Sequence, residues 1–196
     1  MWGMVWKRWL FVFLVAFGCM VGVISLYYSS LSGVMSKLGL LSGDPSTLID
    51  RNELARGMRG IGGTLTCDYW GAVSLSPHYL LTPATERIQL GAMLGYKRME
   101  CGVVYGLSGN VERSVYTFLK GLYYLRSSYL TYLELVSRDP SICAAYRFPA
   151  ITPMLATYIA STRGNARSAV EPVVAHIIEL QQKVQERCID REQLEF

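Results

Sequence analysis

Residues 9–28, WLFVFLVAFGCMVGVISLYY, carry no charged side chain over their whole length, and Lys7 and Arg8 stand directly before them. An α-helix rises about 1.5 Å per residue, so a run of roughly twenty residues crosses the roughly 30 Å hydrocarbon layer of a bilayer. Within that layer a helix pairs every backbone N–H and C=O inside the segment. Trp9, Phe11, Phe13, Leu14, Val21 and Ile24 give the run its apolar surface, and Trp6, Tyr27 and Tyr28 stand at its ends, where amphipathic rings favour the headgroup region. The run predicts one membrane-spanning anchor over 9–28, behind a short cytoplasmic segment, 1–8. A cleaved signal peptide has a shorter apolar core that ends at small residues, whereas here the apolar run continues through Met20–Leu26. The same continuation argues against lipidation at Cys19. Only Lys37 is basic in the next stretch, so the positive charge before the span predicts a cytoplasmic N-terminus and an extracytoplasmic C-terminal domain.

Beyond the anchor the chain is nearly neutral. Its 19 lysines and arginines against 15 acidic residues give +4, and Lys7 and Arg8 account for half of that excess. No basic tract stands out, which excludes a nucleic-acid partner. Cys67, Cys101, Cys143 and Cys188 are widely spaced, unlike the close C-x-x-C pairs of zinc or thioredoxin-like sites. An even number allows two disulfides in an oxidising compartment, with three connectivities; four separate buried thiols are the alternative.

Residues 29–64 are rich in Ser and Gly and read as a partly flexible connector, with room for a short helix near Pro45–Met58 capped by Asp44. The run Ala55–Thr64 lacks the lysine of a phosphate loop. Gly71 and Pro77 suggest an irregular segment over Cys67–Tyr79. Thr82-Pro83 then opens a helix to about Leu107. Gly91, Gly95, Gly102 and Gly106 fall near one face of it, and each costs roughly 1 kcal/mol in a helix, so close approach of a neighbouring helix is expected there.

After the turn Ser108-Gly109-Asn110, Val111, Val115, Phe118, Leu122, Leu125, Tyr129, Tyr132 and Val136 recur alternately every four and three residues. That period makes one long helix with a continuous apolar seam. The four glycines with Phe118, Leu122, Leu125 and Tyr129 form the candidate helix-packing or partner face. A third helix is expected from Thr152 or Pro153 to about Thr162. A last one starts near Ser168 with capping-box spacing to Glu171, carries Val173, Ile177, Leu180 and Val184, and frays from Cys188. The expectation is an all-α chain: a single N-terminal transmembrane helix, then a domain over 65–188 built as a bundle of roughly four helices, and a tail over 189–196.

His78 and His176 have no acid or thiol at ligand spacing, and no nucleophile elbow occurs. No catalytic residue, cofactor site or metal site is assigned.

From Leu75 onward the motifs Ser76-Pro77-His78-Tyr79, Glu86-Arg87-Ile88-Gln89-Leu90, Lys97-Arg98, Gly109-Asn110-Val111-Glu112 and Val170-Glu171-Pro172-Val173 stand in an order that resembles one family. It is a domain of unknown function found in small, membrane-anchored or secreted helical proteins of uncultured, genome-reduced bacteria. This chain is shorter than that pattern between Leu90 and Lys97 and adds the four cysteines. The resemblance implies an anchored extracytoplasmic helical domain and transfers no activity. The sequence therefore points to a non-enzymatic scaffold or interaction module of the cell envelope. It would rest in the lipid bilayer with a protein partner or a second copy. An accessory subunit of a larger membrane assembly is the alternative, and an anchored enzyme a weaker third.

Overall fold

The Ser108-Gly109-Asn110 corner sets up the most extensive helix contact among the described residues. In the computed structural model, which describes residues 47–61, 65–144, 146, 148 and 150–192, it joins helix α3 (Ala84–Leu107) to helix α4 (Val111–Arg138). Gly109 takes φ +84°, a conformation that costs a side-chain-bearing residue. Its N–H donates to Gly106 O at 3.1 Å, and the Asn110 N–H donates to Tyr105 O at 2.9 Å. Those two bonds are a Schellman closure of α3. Asn110 then caps α4, its Oδ1 accepting from the Arg113 N–H at 3.2 Å. One short stretch thus ends one helix, reverses the chain and starts the next.

The fold is all-α. Before the central pair come α1 (Arg51–Ile61) and α2 (Tyr69–Leu81); after it come a 3₁₀ turn (Pro140–Ala144), α5 (Thr152–Ser161) and α6 (Gly164–Glu192). Among the described residues there are six α-helices: one in the stretch expected as connector, and five beyond it where roughly four were expected. The anchor over 9–28 lies outside the described residues, as do the orientation drawn from it and residues 193–196.

Four local expectations change. The stretch read as connector holds α1, capped by Asp50 rather than Asp44: Asp50 Oδ1 accepts from the N–H groups of Asn52 and Glu53, both at 3.0 Å. Leu54 and Met58, one turn apart, are buried. The segment read as irregular is α2, which continues through Gly71 and Pro77; Asp68 caps it, accepting from the Gly71 N–H at 2.9 Å. The last helix begins at Gly164 (φ +51°), not near Ser168. There the capping box does not form, because Glu171 pairs with Arg167 and the Ser168 hydroxyl donates to Gly164 O at 3.3 Å. Finally, Cys188 does not fray: its disulfide to Cys143 holds the end of α6.

The core runs along α4. Phe118, Leu122 and Leu125 are fully buried, with Tyr129 and Tyr132 nearly so. From α6, Val170, Val174, Ile177 and Leu180 face inward, a register that leaves Val173 and Val184 only half-buried. An isolated antiparallel bridge between Ile49 and Thr162 ties the start of α1 to the end of α5. Asp50 N–H donates to Ser161 O at 2.7 Å and Arg163 N–H to Leu48 O at 2.8 Å on either side of it.

Candidate functional site

The face singled out in the sequence is internal. A Cβ on Gly95 would stand 2.8 Å from the backbone oxygen of Gly121, and one on Gly121 2.7 Å from that of Gly95. Backbone therefore meets backbone where α3 crosses α4, and neither residue has room for a side chain. Gly102 lies against Phe118, where a Cβ would come 2.8 Å from the Phe118 Cβ, and Gly91 lies against Ser128 and Tyr79. Gly106 approaches Leu54 and Ser114. Gly121 is a functional part of this contact that sequence reasoning missed, since a lone glycine inside a strong apolar seam gives no periodic signal.

Next to this crossing, Ser114 Oγ donates to Gly102 O at 2.6 Å and shares a second bond, 2.7 Å, with the Tyr158 hydroxyl. The Tyr158 ring stacks on Phe118, centroids 3.7 Å apart and 7° from parallel. Burial pushes the Tyr158 hydroxyl well above the usual phenol range, and the bond to Ser114 only partly offsets it. These residues fasten α3, α4 and α5 together.

The four cysteines Cys67, Cys101, Cys143 and Cys188 are joined as Cys67–Cys101 and Cys143–Cys188, with Cα atoms 4.4 and 5.5 Å apart. The first ties the entry to α2 onto α3, and the second ties the 3₁₀ turn onto α6. Tyr132 sits beside the second bond, its hydroxyl 3.2 Å from Cys143 O and 3.3 Å from Cys188 Sγ. Disulfides form and persist in oxidising compartments, so this pairing fits an extracytoplasmic domain. Beside the first disulfide, Asp68 pairs with Lys97 at 3.1 Å. The Gly71 N–H, and then Lys97, hold its carboxyl below the usual range.

Three places among the described residues stand out. Arg98 and Arg113 lie over the Tyr69 ring at 5.3 and 5.1 Å, and Arg113 also lies 4.4 Å over Tyr105. Arg98 is buried, and its Nε has no hydrogen-bond partner among the described residues. Leu80 and Leu81, at the end of α2, are 75% and 86% exposed. The third place is a cleft of about 300 Å³ lined by Tyr129, Phe148, Ala150, Thr152, Gln181, Val184 and Gln185. His78 is exposed. His176 lies on a charged face of α6, 3.6 Å from Glu179, which also binds Lys183 at 2.6 Å. Among the described residues no three His, Cys, Asp or Glu side chains converge on a metal position, and no helix is long and apolar enough to cross a membrane.

No family model, curated protein or solved structure matches this chain.

Proposed function

We propose that the protein is a non-enzymatic helical scaffold or interaction module of the cell envelope, anchored by the span 9–28 and carried on the outer face of the membrane. The observation that carries this reading is the pair of disulfides in a domain that follows a charge-free, membrane-length run. Two crosslinks of this kind stabilise a small domain by restricting its unfolded chain, and they persist in an oxidising compartment. Lys7 and Arg8 supply the orientation. A reporter active only outside the cytoplasm, fused after Phe196, should be active, and one active only inside should be silent. The opposite pattern would overturn both the orientation and the assigned compartment.

A second reading, an accessory subunit of a larger membrane assembly, is favoured by Leu80 and Leu81, which no described residue covers. Large exposed apolar side chains side by side are a usual mark of a contact surface. The mass of the detergent-extracted particle separates the two. A particle of one chain contradicts the subunit reading, and a defined larger complex that disperses on Leu81→Ser supports it.

A further inference from the structure

We propose that the Cys143–Cys188 disulfide is an exchangeable redox clasp: a dithiol reductant opens it and frees the end of α6, while Cys67–Cys101 stays closed as a permanent brace. The inference stands on the surroundings of the two bonds and does not depend on how the chain is oriented in the membrane.

Thiol–disulfide exchange needs one sulfur that a nucleophile can reach and another that leaves well as a thiolate. Cys101 is fully buried and Cys67 half-buried, so only Cys67 can be approached, and attack there would leave a thiolate in the packed interior. Cys143 and Cys188 are both half-buried, one in a short 3₁₀ turn beside exposed Ser141, the other near the end of α6. Tyr132 separates their roles. A disulfide sulfur carries no hydrogen, so the Tyr132 O–H is the donor in its 3.3 Å contact with Cys188 Sγ, and it shares that proton with Cys143 O at 3.2 Å. Burial, and then Tyr146, hold this hydroxyl above the usual phenol range, so it keeps the proton it donates. Arg187 Nη1 donates to Leu133 O at 3.3 Å and so brings a cation to the residue next to Tyr132.

Attack by a dithiol's thiolate on Cys143 Sγ forms a mixed disulfide and breaks the bond to Cys188, whose Sγ takes the electron pair. The Tyr132 O–H then turns from Cys143 O to that charge, a stronger bond than one to a neutral acceptor. The reductant's second thiolate attacks its own sulfur in the mixed disulfide and releases Cys143. The reductant leaves oxidised by two electrons, and the two cysteines each take up a proton. Among the described residues little else holds the end of α6. Gln185, Glu186 and Arg187 are exposed, and the Arg187 bond to Leu133 is itself at the surface. With the crosslink open, the last turns can leave the cluster of Ile88, Tyr132 and Val136 on which Val184 and Cys188 pack. In an oxidising compartment the clasp rests closed.

The full chain in detergent micelles, with free thiols blocked beforehand, can be treated with dithiothreitol for stepped times, quenched, and alkylated with a second reagent for peptide mass analysis. Cys143 and Cys188 should take the second reagent about tenfold faster than Cys67 and Cys101, because both sulfurs of that pair are within reach. On the selectively reduced protein, amide hydrogen exchange should speed over residues 185–192 and stay unchanged where α3 crosses α4. Tyr132→Phe should slow the opening of Cys143–Cys188 roughly fivefold, since only part of the charge has reached Cys188 in the transition state. It should leave Cys67–Cys101 unaffected. A merely structural hydroxyl forecasts the opposite: losing its bond to Cys143 O would loosen the turn and speed the reaction. Both pairs opening together, Cys67–Cys101 opening first, or unchanged exchange over 185–192 after reduction would overturn the proposal. So would a Tyr132→Phe variant that opens as fast as the parent or faster.

Discussion

Replacing Gly95 by alanine tests the crossing on which the domain is built. In an exposed helix the change is favourable by about 1 kcal/mol, since alanine loses less backbone freedom. At Gly95 the new methyl would stand 2.8 Å from Gly121 O, 2.9 Å from Leu125 Cγ and 3.1 Å from Leu125 N. Two of those three atoms are backbone and cannot rotate away, so α3 and α4 must separate along their contact. Overpacking of this kind costs typically 1–3 kcal/mol. The net expectation is a loss of about 1 kcal/mol, and the same for Gly121→Ala, which meets Gly95 O at 2.7 Å and Met99 N at 2.9 Å. Gly60, on α1, has nothing within 4 Å of an added Cβ. Gly60→Ala should therefore gain roughly 0.5–1 kcal/mol. The double variant Gly95→Ala, Gly121→Ala should cost less than the two changes summed, because one separation of the helices relieves both clashes. Denaturant unfolding followed by circular dichroism, with disulfides intact, reads all four. Equal gains at Gly95, Gly121 and Gly60 would refute the close crossing.

Leu122 is fully buried in the α4 seam, so Leu122→Ala should cost about 2–5 kcal/mol, whereas Arg126→Ala, at an exposed position of the same helix, should stay within about 0.5 kcal/mol; unfolding midpoints compare them, and equal sensitivity would break the helical register. Stability should also fall in alkali. Tyr129 and Tyr158 have hydroxyls raised above the ordinary value of 10.0, so each contribution is complete below pH 10 and is lost as pH rises, for Tyr129 through about 12. In that window the unfolded chain releases protons that the folded chain retains, roughly 1.4 kcal/mol per pH unit for each group. A pH series of unfolding midpoints should show the decline begin near pH 10 and become shallower in Tyr129→Phe.

The central hairpin was legible because its signals are local and agree. The Gly109-Asn110 turn, the Asn110 cap and the alternating seam of α4 all point to two long helices meeting at a corner. Helix α2 was not legible, because Gly71 and Pro77 weaken it locally while its support is tertiary. Cys67 is tied to Cys101, and the Tyr79 hydroxyl donates to Ser127 at 2.9 Å while its ring meets Tyr124 edge-on. The start of α6 misled for a related reason: Ser168 and Glu171 have the spacing of a cap but use their side chains along the helix. Cys188 looked like part of a loose end, since no spacing tells which distant cysteine will hold it. The cleft beside Tyr129 had no signal at all. Tyr129, Phe148 and Gln181 are far apart in the chain, and they line one cleft only once the helices have packed.

The most direct test of an extracytoplasmic, twice-pinned domain is a count of thiols on protein whose free cysteines are blocked inside intact cells, followed by unfolding, reduction and a second label. The chain has five cysteines, and the pairs Cys67–Cys101 and Cys143–Cys188 leave Cys19 alone. The expected result is that four cysteines take only the second label. Unreduced peptides should link Cys67 to Cys101 and Cys143 to Cys188. Any of these four cysteines taking a thiol label once the chain is unfolded but before it is reduced would contradict the assigned compartment, and a link between any other two would contradict the assigned packing.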